Sequence, residues 1–181
     1  VNRADGLLMF AIGNLKSVAL TGDKFTKEWE TTHFLASENP LVQEGLVSIK
    51  SLAESGVASM RGLQMELTFL ADRATKISPL EDKPSWINRV LGRISSLVTV
   101  RRIGPNAAAG KDNVGLMAQA EISLSEGDLS GAINAISVLS GKQRELFTPW
   151  LAKARTRYQV EDTLDKATSV LFSKQKSSAN K

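Results

Sequence analysis

The sequence has 181 residues, 42% of them hydrophobic, with 23 basic and 19 acidic side chains and a formal charge of +4; that is enough for one domain, or two small ones, with a real core. It has no cysteine and a single histidine, His33, which excludes disulfides, thiolate metal sites, iron–sulfur clusters, cysteine nucleophiles and any site needing two histidines. No apolar run is long enough to span a bilayer; the opening Val1-Asn2-Arg3-Ala4-Asp5 does not read as a signal peptide, and without an initiating methionine the chain is expected to be a piece of something longer.

Helical periodicity dominates. Leu7, Leu8, Ala11, Ile12, Leu15, Val18 and Ala19 recur at steps of three and four and give one apolar face. Gly22-Asp23 breaks this helix, and Phe25, Trp29 and Thr32 restart the spacing over about Lys24 to Ala36. His33, with no second ligand at useful spacing, is expected to be a partly buried helical side chain. Asn39-Pro40 predicts a helix start, with Asn39 as cap and Pro40 in the first turn. Val42, Leu46, Ile49, Leu52 and Ala53 line that helix and Gly56 stops it. Ser59 is placed to cap the next, which carries Leu63, Leu67, Leu70, Ala71 and Ala74.

Ser78-Pro79 and Lys83-Pro84 mark a linker over Ile77 to Ser85. A second breaker region runs from Gly104-Pro105-Asn106 to Gly110. Asp112 or Asn113 then opens a helix with Val114, Met117, Ala118, Ala120 and Leu124. Gly127-Asp128 ends it, and Asp128 is a good N-cap for a helix carrying Leu129, Ala132, Ile133, Ile136 and Leu139. Gly141 closes this helical hairpin. A long helix follows from about Lys142 to Lys174, restarted or kinked at Thr148-Pro149. Leu146, Trp150, Leu151, Ala154, Tyr158, Leu164 and Leu171 lie near its apolar stripe, and Arg155, Arg157 and Lys166 beside Glu161, Asp162 and Asp165 suggest intrahelical ion pairs.

Trp86 to Arg102 is the most informative stretch. Ile87, Val90, Leu91, Ile94, Leu97 and Val98 share one helical face, while Arg89 and Arg93 lie away from it and Arg101 and Arg102 close the segment. No acid occurs from Trp86 through Lys111. An apolar face, an arginine-bearing polar face and a terminal tryptophan suit a helix lying in a lipid interface. Each basic residue adds roughly 1 kcal/mol near an anionic surface. Packing on its own domain is the competing reading, since most amphipathic helices do that. Nucleic acid is weaker still, because no stacking platform or recognition module accompanies the arginines. Elsewhere there is no phosphate-binding glycine loop and no nucleophile elbow, so no catalytic residue, cofactor or metal is expected.

The order Glu126-Gly127-Asp128-Leu129, Ala132, Val138-Leu139-Ser140-Gly141 and Trp150-Leu151-Ala152-Lys153-Ala154-Arg155 resembles the C-terminal signature of the mitofilin family. The preceding Ser85-Trp86-Ile87 through Leu97-Val98-Thr99-Val100-Arg101-Arg102 is similar to the segment before that signature in alphaproteobacterial members. Gly22-Asp23-Lys24-Phe25 and the Gly56 region resemble the bacterial pattern more loosely. The resemblance implies a membrane-organising role at crista junctions or intracytoplasmic membranes. The implied place is the inner membrane on its periplasmic or intermembrane-space side, anchored by an upstream segment. It also implies lipid contact through Trp86, Ile87, Arg89, Val90, Leu91, Arg93, Ile94, Leu97, Arg101 and Arg102. Self-association or partner docking would fall to the signature-like domain, with Leu129, Ile133, Ile136, Leu146, Trp150, Leu151 and Tyr158 as candidates.

These readings give an all-α fold of helical hairpins packed as a bundle or short solenoid, with an amphipathic helix between two halves. The expected parts are hairpins over 1–77, linker and basic helix over 78–110, a signature-like domain over 111–174 and a disordered tail over 175–181. The expected function is a non-enzymatic scaffold that binds and shapes the inner membrane. Its expected partners are anionic phospholipid, further copies of itself and contact-site or outer-membrane assembly proteins, with no nucleic acid. The alternative is a soluble helical-repeat adaptor without lipid binding, against which stands the lack of a visible 34-residue period.

Overall fold

The computed structural model describes residues 3–77 and 113–179. Among them are eight helices and no strand: α1 (Arg3–Ala19), α2 (Thr26–Leu35), α3 (Pro40–Ser48), α4 (Lys50–Ser55), α5 (Met60–Ile77), α6 (Asn113–Ser125), α7 (Leu129–Ser137) and α8 (Gly141–Ala179). The fold is all-α. It forms two compact units, Val1–Leu63 with Ala152–Lys181, and Gln64–Leu151. Helix α8 gives its first part to the second unit and its remainder to the first.

The first unit is built on the apolar faces that the spacing predicts. Leu8, Ile12, Leu15 and Ala19 of α1 meet Phe25, Trp29, Ala36, Val42, Leu46, Ile49 and Ala53 in one buried cluster. Val160, Leu164, Ala167 and Leu171 of α8 belong to the same cluster. The end of the expected C-terminal domain therefore shares a core with the N-terminal hairpins. Steps of three and four identify a buried stripe but not the helices that cover it. The turn after α1 is sealed by Gly56, whose φ of 76° is left-handed and whose absent side chain leaves room for Asp23 O, only 3.0 Å from where a Cβ would lie.

Polar groups finish the packing. The Trp29 indole donates to Leu46 O at 2.6 Å, and the Gln159 amide donates to Ser48 O at 3.3 Å. These side-chain donors occupy carbonyls where the expected helix from Asn39 to Gly56 divides at Ile49 into α3 and α4. Asn39 precedes Pro40 as expected, but its side chain makes no cap bond. It accepts instead from Lys174 at 3.1 Å, and the same ammonium reaches buried Asp5 at 3.2 Å. Ser59 does cap α5, accepting from Gly62 N at 3.1 Å. His33 is half-buried and stacks on Trp29 with centroids 4.8 Å apart.

Arg157 is the chief polar anchor of this unit. It is 4% exposed. One terminal nitrogen donates to Leu20 O at 3.1 Å and Ala58 O at 3.0 Å, and the other pairs with Glu161 at 2.8 Å. The intrahelical pair is the expected one, but Arg157 also holds the loops after α1 and α4. Lys166–Asp162 is the second expected pair, at 2.6 Å, whereas Asp165 bonds Lys16 of α1. Tyr158, placed by spacing near the apolar stripe, is 41% exposed, and Arg157 takes the buried position beside it.

In the second unit α6 and α7 form the predicted hairpin. Gly127 sits at φ 81°; Asp128 N donates to Ser123 O at 2.8 Å and Gly127 N to Leu124 O at 3.1 Å, which closes the helix by a Schellman motif. Asp128 then caps α7, accepting from Gly131 N at 2.8 Å. Helix α6 buries Leu116, Met117, Ala118, Ala120, Ser123 and Leu124, more of its circumference than one stripe, so it is covered on several sides. Helix α8 runs through Pro149, which is exposed, as is Glu145, whose carbonyl loses its usual donor to the proline ring. It continues to Ala179 rather than stopping at Lys174; Lys176 in its last turn complements the helix dipole.

Candidate functional site

Three chain ends converge in the second unit. At the C-terminus of α5 the Ala74 carbonyl, one of the last four without an intrahelical donor, accepts from the Gln143 amide at 3.2 Å. Asn113, the first residue of α6, donates to Ser140 O at 3.1 Å and to the Gln143 side-chain oxygen, and accepts from Ser140 N at 3.2 Å. Two amide side chains thus tie the end of α5, the start of α6 and the turn into α8 together. At the opposite end Gln64 donates to Leu124 O at 2.8 Å, again a carbonyl in a helix's last turn. With Gln64 beside Leu124 and Ala74 beside the start of α6, α5 and α6 run antiparallel.

Between those anchors Ala71 and Thr75 face Val114, Met117 and Ala118 across a small apolar gap that has no room for a substrate. Glu121 of α6 accepts a hydrogen bond from Thr68 of α5. Burial raises its carboxyl above the ordinary glutamate range, and the Thr68 bond offsets part of that rise. A raised folded-state value means that the stabilising protonated form is kept at acidic pH and lost as pH rises through it. Glu121→Gln should therefore raise the thermal midpoint at neutral pH, with the difference from wild type vanishing below the ordinary glutamate range. Equal midpoints at neutral pH would show that this carboxyl is hydrated.

Trp86, Ile87, Arg89, Val90, Leu91, Arg93, Ile94, Leu97, Arg101 and Arg102 lie outside the described residues. Of the seven association candidates, Leu129, Ile136, Trp150 and Leu151 are buried, and Trp150 has no exposure at all. Their apolar area is already buried. Ile133 and Leu146 are half-buried and Tyr158 is exposed. Spacing did not single out Gln64, Gln143 or Arg157 as anchors. Gln64 and Gln143 lie near helix starts, their only signal, and Arg157, in mid-helix, showed only its i,i+4 spacing to Glu161. Among the described residues no group of His, Asp or Glu could hold a metal, and no helix is long and apolar enough to cross a membrane.

A family model described as "Mitofilin: Mitochondrial inner membrane protein" matches residues 3–169. The chain is similar to a "MICOS complex subunit mic60" of Sclerotinia sclerotiorum, 29% identical over 143 residues that make up 78% of this chain and 21% of that protein. A MIC60 subunit of Phaeosphaeria nodorum is 26% identical over 87% of this chain and 26% of its own length. One of Yarrowia lipolytica is 27% identical over 75% and 24%. The chain thus spans about a quarter or less of the curated relatives it matches. No solved structure matches significantly.

Proposed function

The chain belongs to the mitofilin family, and on that footing we propose that it is the part of a non-enzymatic scaffold that organises an inner membrane and contacts its lipid through Trp86–Arg102. The observation that carries this reading is the family match over residues 3–169 together with an acid-free stretch, 86–111, in which four arginines accompany an amphipathic pattern. In that stretch the apolar positions enter the acyl boundary while the guanidinium groups stay at phosphate depth. Single contacts of this kind are weak and reversible, so copies brought together add avidity. The relatives are named as subunits of a complex; by that likeness this chain also docks protein partners, and Tyr158, Ile133 and Leu146 are the association candidates with surface left to offer. Its place is the inner membrane, facing the periplasm in the bacterial form suggested by the Trp86–Arg102 pattern, or the intermembrane space of a mitochondrion.

Co-sedimentation with phosphatidylcholine vesicles containing phosphatidylglycerol tests the lipid contact. Arg89→Glu with Arg93→Glu should weaken binding by an order of magnitude or more, at about five-fold per basic residue removed. Unchanged binding by this double variant would remove the role from this segment.

Exposed apolar side chains favour a second reading, a purely protein-docking module. Phe10 and Phe34 of the first unit are 77% and 78% exposed. Capture of protein partners by a chain without affinity for any vesicle would favour it.

A further inference from the structure

Gln64, Thr68, Ala71 and Thr75 follow at steps of four, three and four, so they share one side of α5. They meet α6 in reverse order: Gln64 at Leu124, Thr68 at Glu121, then Ala71 and Thr75 at Val114, Met117 and Ala118. The seam is thinly held. Its α5 members are short or polar, and a small apolar gap lies along it. One neutral hydrogen bond stands at each end, from Gln64 to Leu124 O and from Gln143 to Ala74 O. Leu67, Leu70 and Ala74 are buried along another side of α5, so the seam can loosen while the helix stays in place.

Into this seam α6 sets its one ionisable side chain, Glu121, which is half-buried. Across it the Thr68 hydroxyl donates to the carboxylate. The neighbouring elements bring no compensating cation among the described residues. Helix α7 has no ionisable side chain. On α5, Asp72 lies one turn beyond Thr68 and is paired with Lys76 at 2.7 Å, Arg73 lies over the Phe69 ring, and Glu66 lies on the side of the helix away from the seam. Lys142, Arg144 and Glu145 of α8 are exposed. The turn after α6 adds two more acids, Glu126 and Asp128, and Asp128 is occupied with Gly131 N. An anion at Glu121 therefore gives up water without gaining an opposite charge, whereas a protonated carboxyl gives up little and can donate a hydrogen bond.

We infer that Glu121 is a proton-operated latch on the α5–α6 seam: protonated, it allows the two helices to close, and ionised, it draws water between them and loosens the seam. The inference goes beyond the scaffold reading and does not depend on lipid contact. Burial raises the Glu121 carboxyl in the closed seam above the ordinary glutamate range, and the open seam returns it to that range. Closure is then complete in acid and is lost as pH rises through the raised value. Loss of one proton makes the opening constant grow by at most about tenfold per pH unit within that interval and level off above it.

Hydrogen–deuterium exchange of the whole chain tests this, followed from below the ordinary glutamate range to above neutrality and corrected for the intrinsic pH dependence of amide exchange. In wild type the α5 and α6 peptides should open progressively more as pH rises. Glu121→Gln, neutral throughout, should remove that rise. Thr68→Val deletes the donor that favours the anion and should shift the rise to higher pH. Wild-type opening that is independent of pH, or a rise that survives in Glu121→Gln, would overturn the latch. Should the glutamine variant fail to fold, the valine variant decides: a rise that stays at the wild-type pH overturns the proposal.

Discussion

Arg157→Ala should lower the unfolding free energy of the first unit by about 3 kcal/mol or more, the scale seen when one partner of a buried ion pair is removed. The guanidinium is 4% exposed and supports Leu20 O, Ala58 O and Glu161 at once. Truncation strands two carbonyls between loops and leaves the Glu161 carboxylate with its cation gone. Lysine should rescue only in part, because an ammonium lacks the planar fork that reaches two loops and a carboxylate together. Urea unfolding of wild type, Arg157→Ala and Arg157→Lys gives the comparison. An alanine variant within about 0.5 kcal/mol of wild type, the usual range for surface positions, would show that the loops hold without the arginine.

Trp150→Ala should be as damaging to the second unit, at about 3–5 kcal/mol for loss of a fully buried tryptophan. Trp150 is completely enclosed, with Phe147 and Ile136 likewise buried in that unit. Its conspicuous place in the family-like Trp150-Leu151-Ala152-Lys153-Ala154-Arg155 run is thus a packing role. The paired measurement is stability by denaturant titration and association by light scattering. A variant with wild-type stability but altered association would put the indole at an interface instead. Tyr158→Ala, at an exposed position, serves as the opposite control and should leave the unfolding midpoint in place.

How much was legible follows from what each signal encodes. Gly22, Gly56 and Asp128 mark helix ends through backbone conformation or capping, both local, and each lies where the sequence places it. The apolar stripes of α1, α5 and α7 were equally plain because period reports burial. The partner of a stripe is not local information. Nothing in Val160, Leu164, Ala167 and Leu171 says that they cover Leu8 and Leu15 rather than their sequence neighbours. Arg157 was hidden for the same reason: an arginine four residues before a glutamate reads as a solvated i,i+4 pair until two loops close over it. In the candidate site, charge and periodicity pointed to Trp86–Arg102. The Gln143–Ala74 bond that ties the end of α5 to the start of α8 is one that no spacing rule supplies.

The shared core of α1 and the distal half of α8 sets an order for biogenesis. Leu8 and Leu15 leave the ribosome early, yet Leu164 and Leu171 are made only after every residue of the second unit. The earliest hairpins must wait with their greasy side uncovered while an intervening module is synthesised, a high-contact-order path that folds slowly. Any cut between Leu151 and Ala152 would leave them in that waiting state for good.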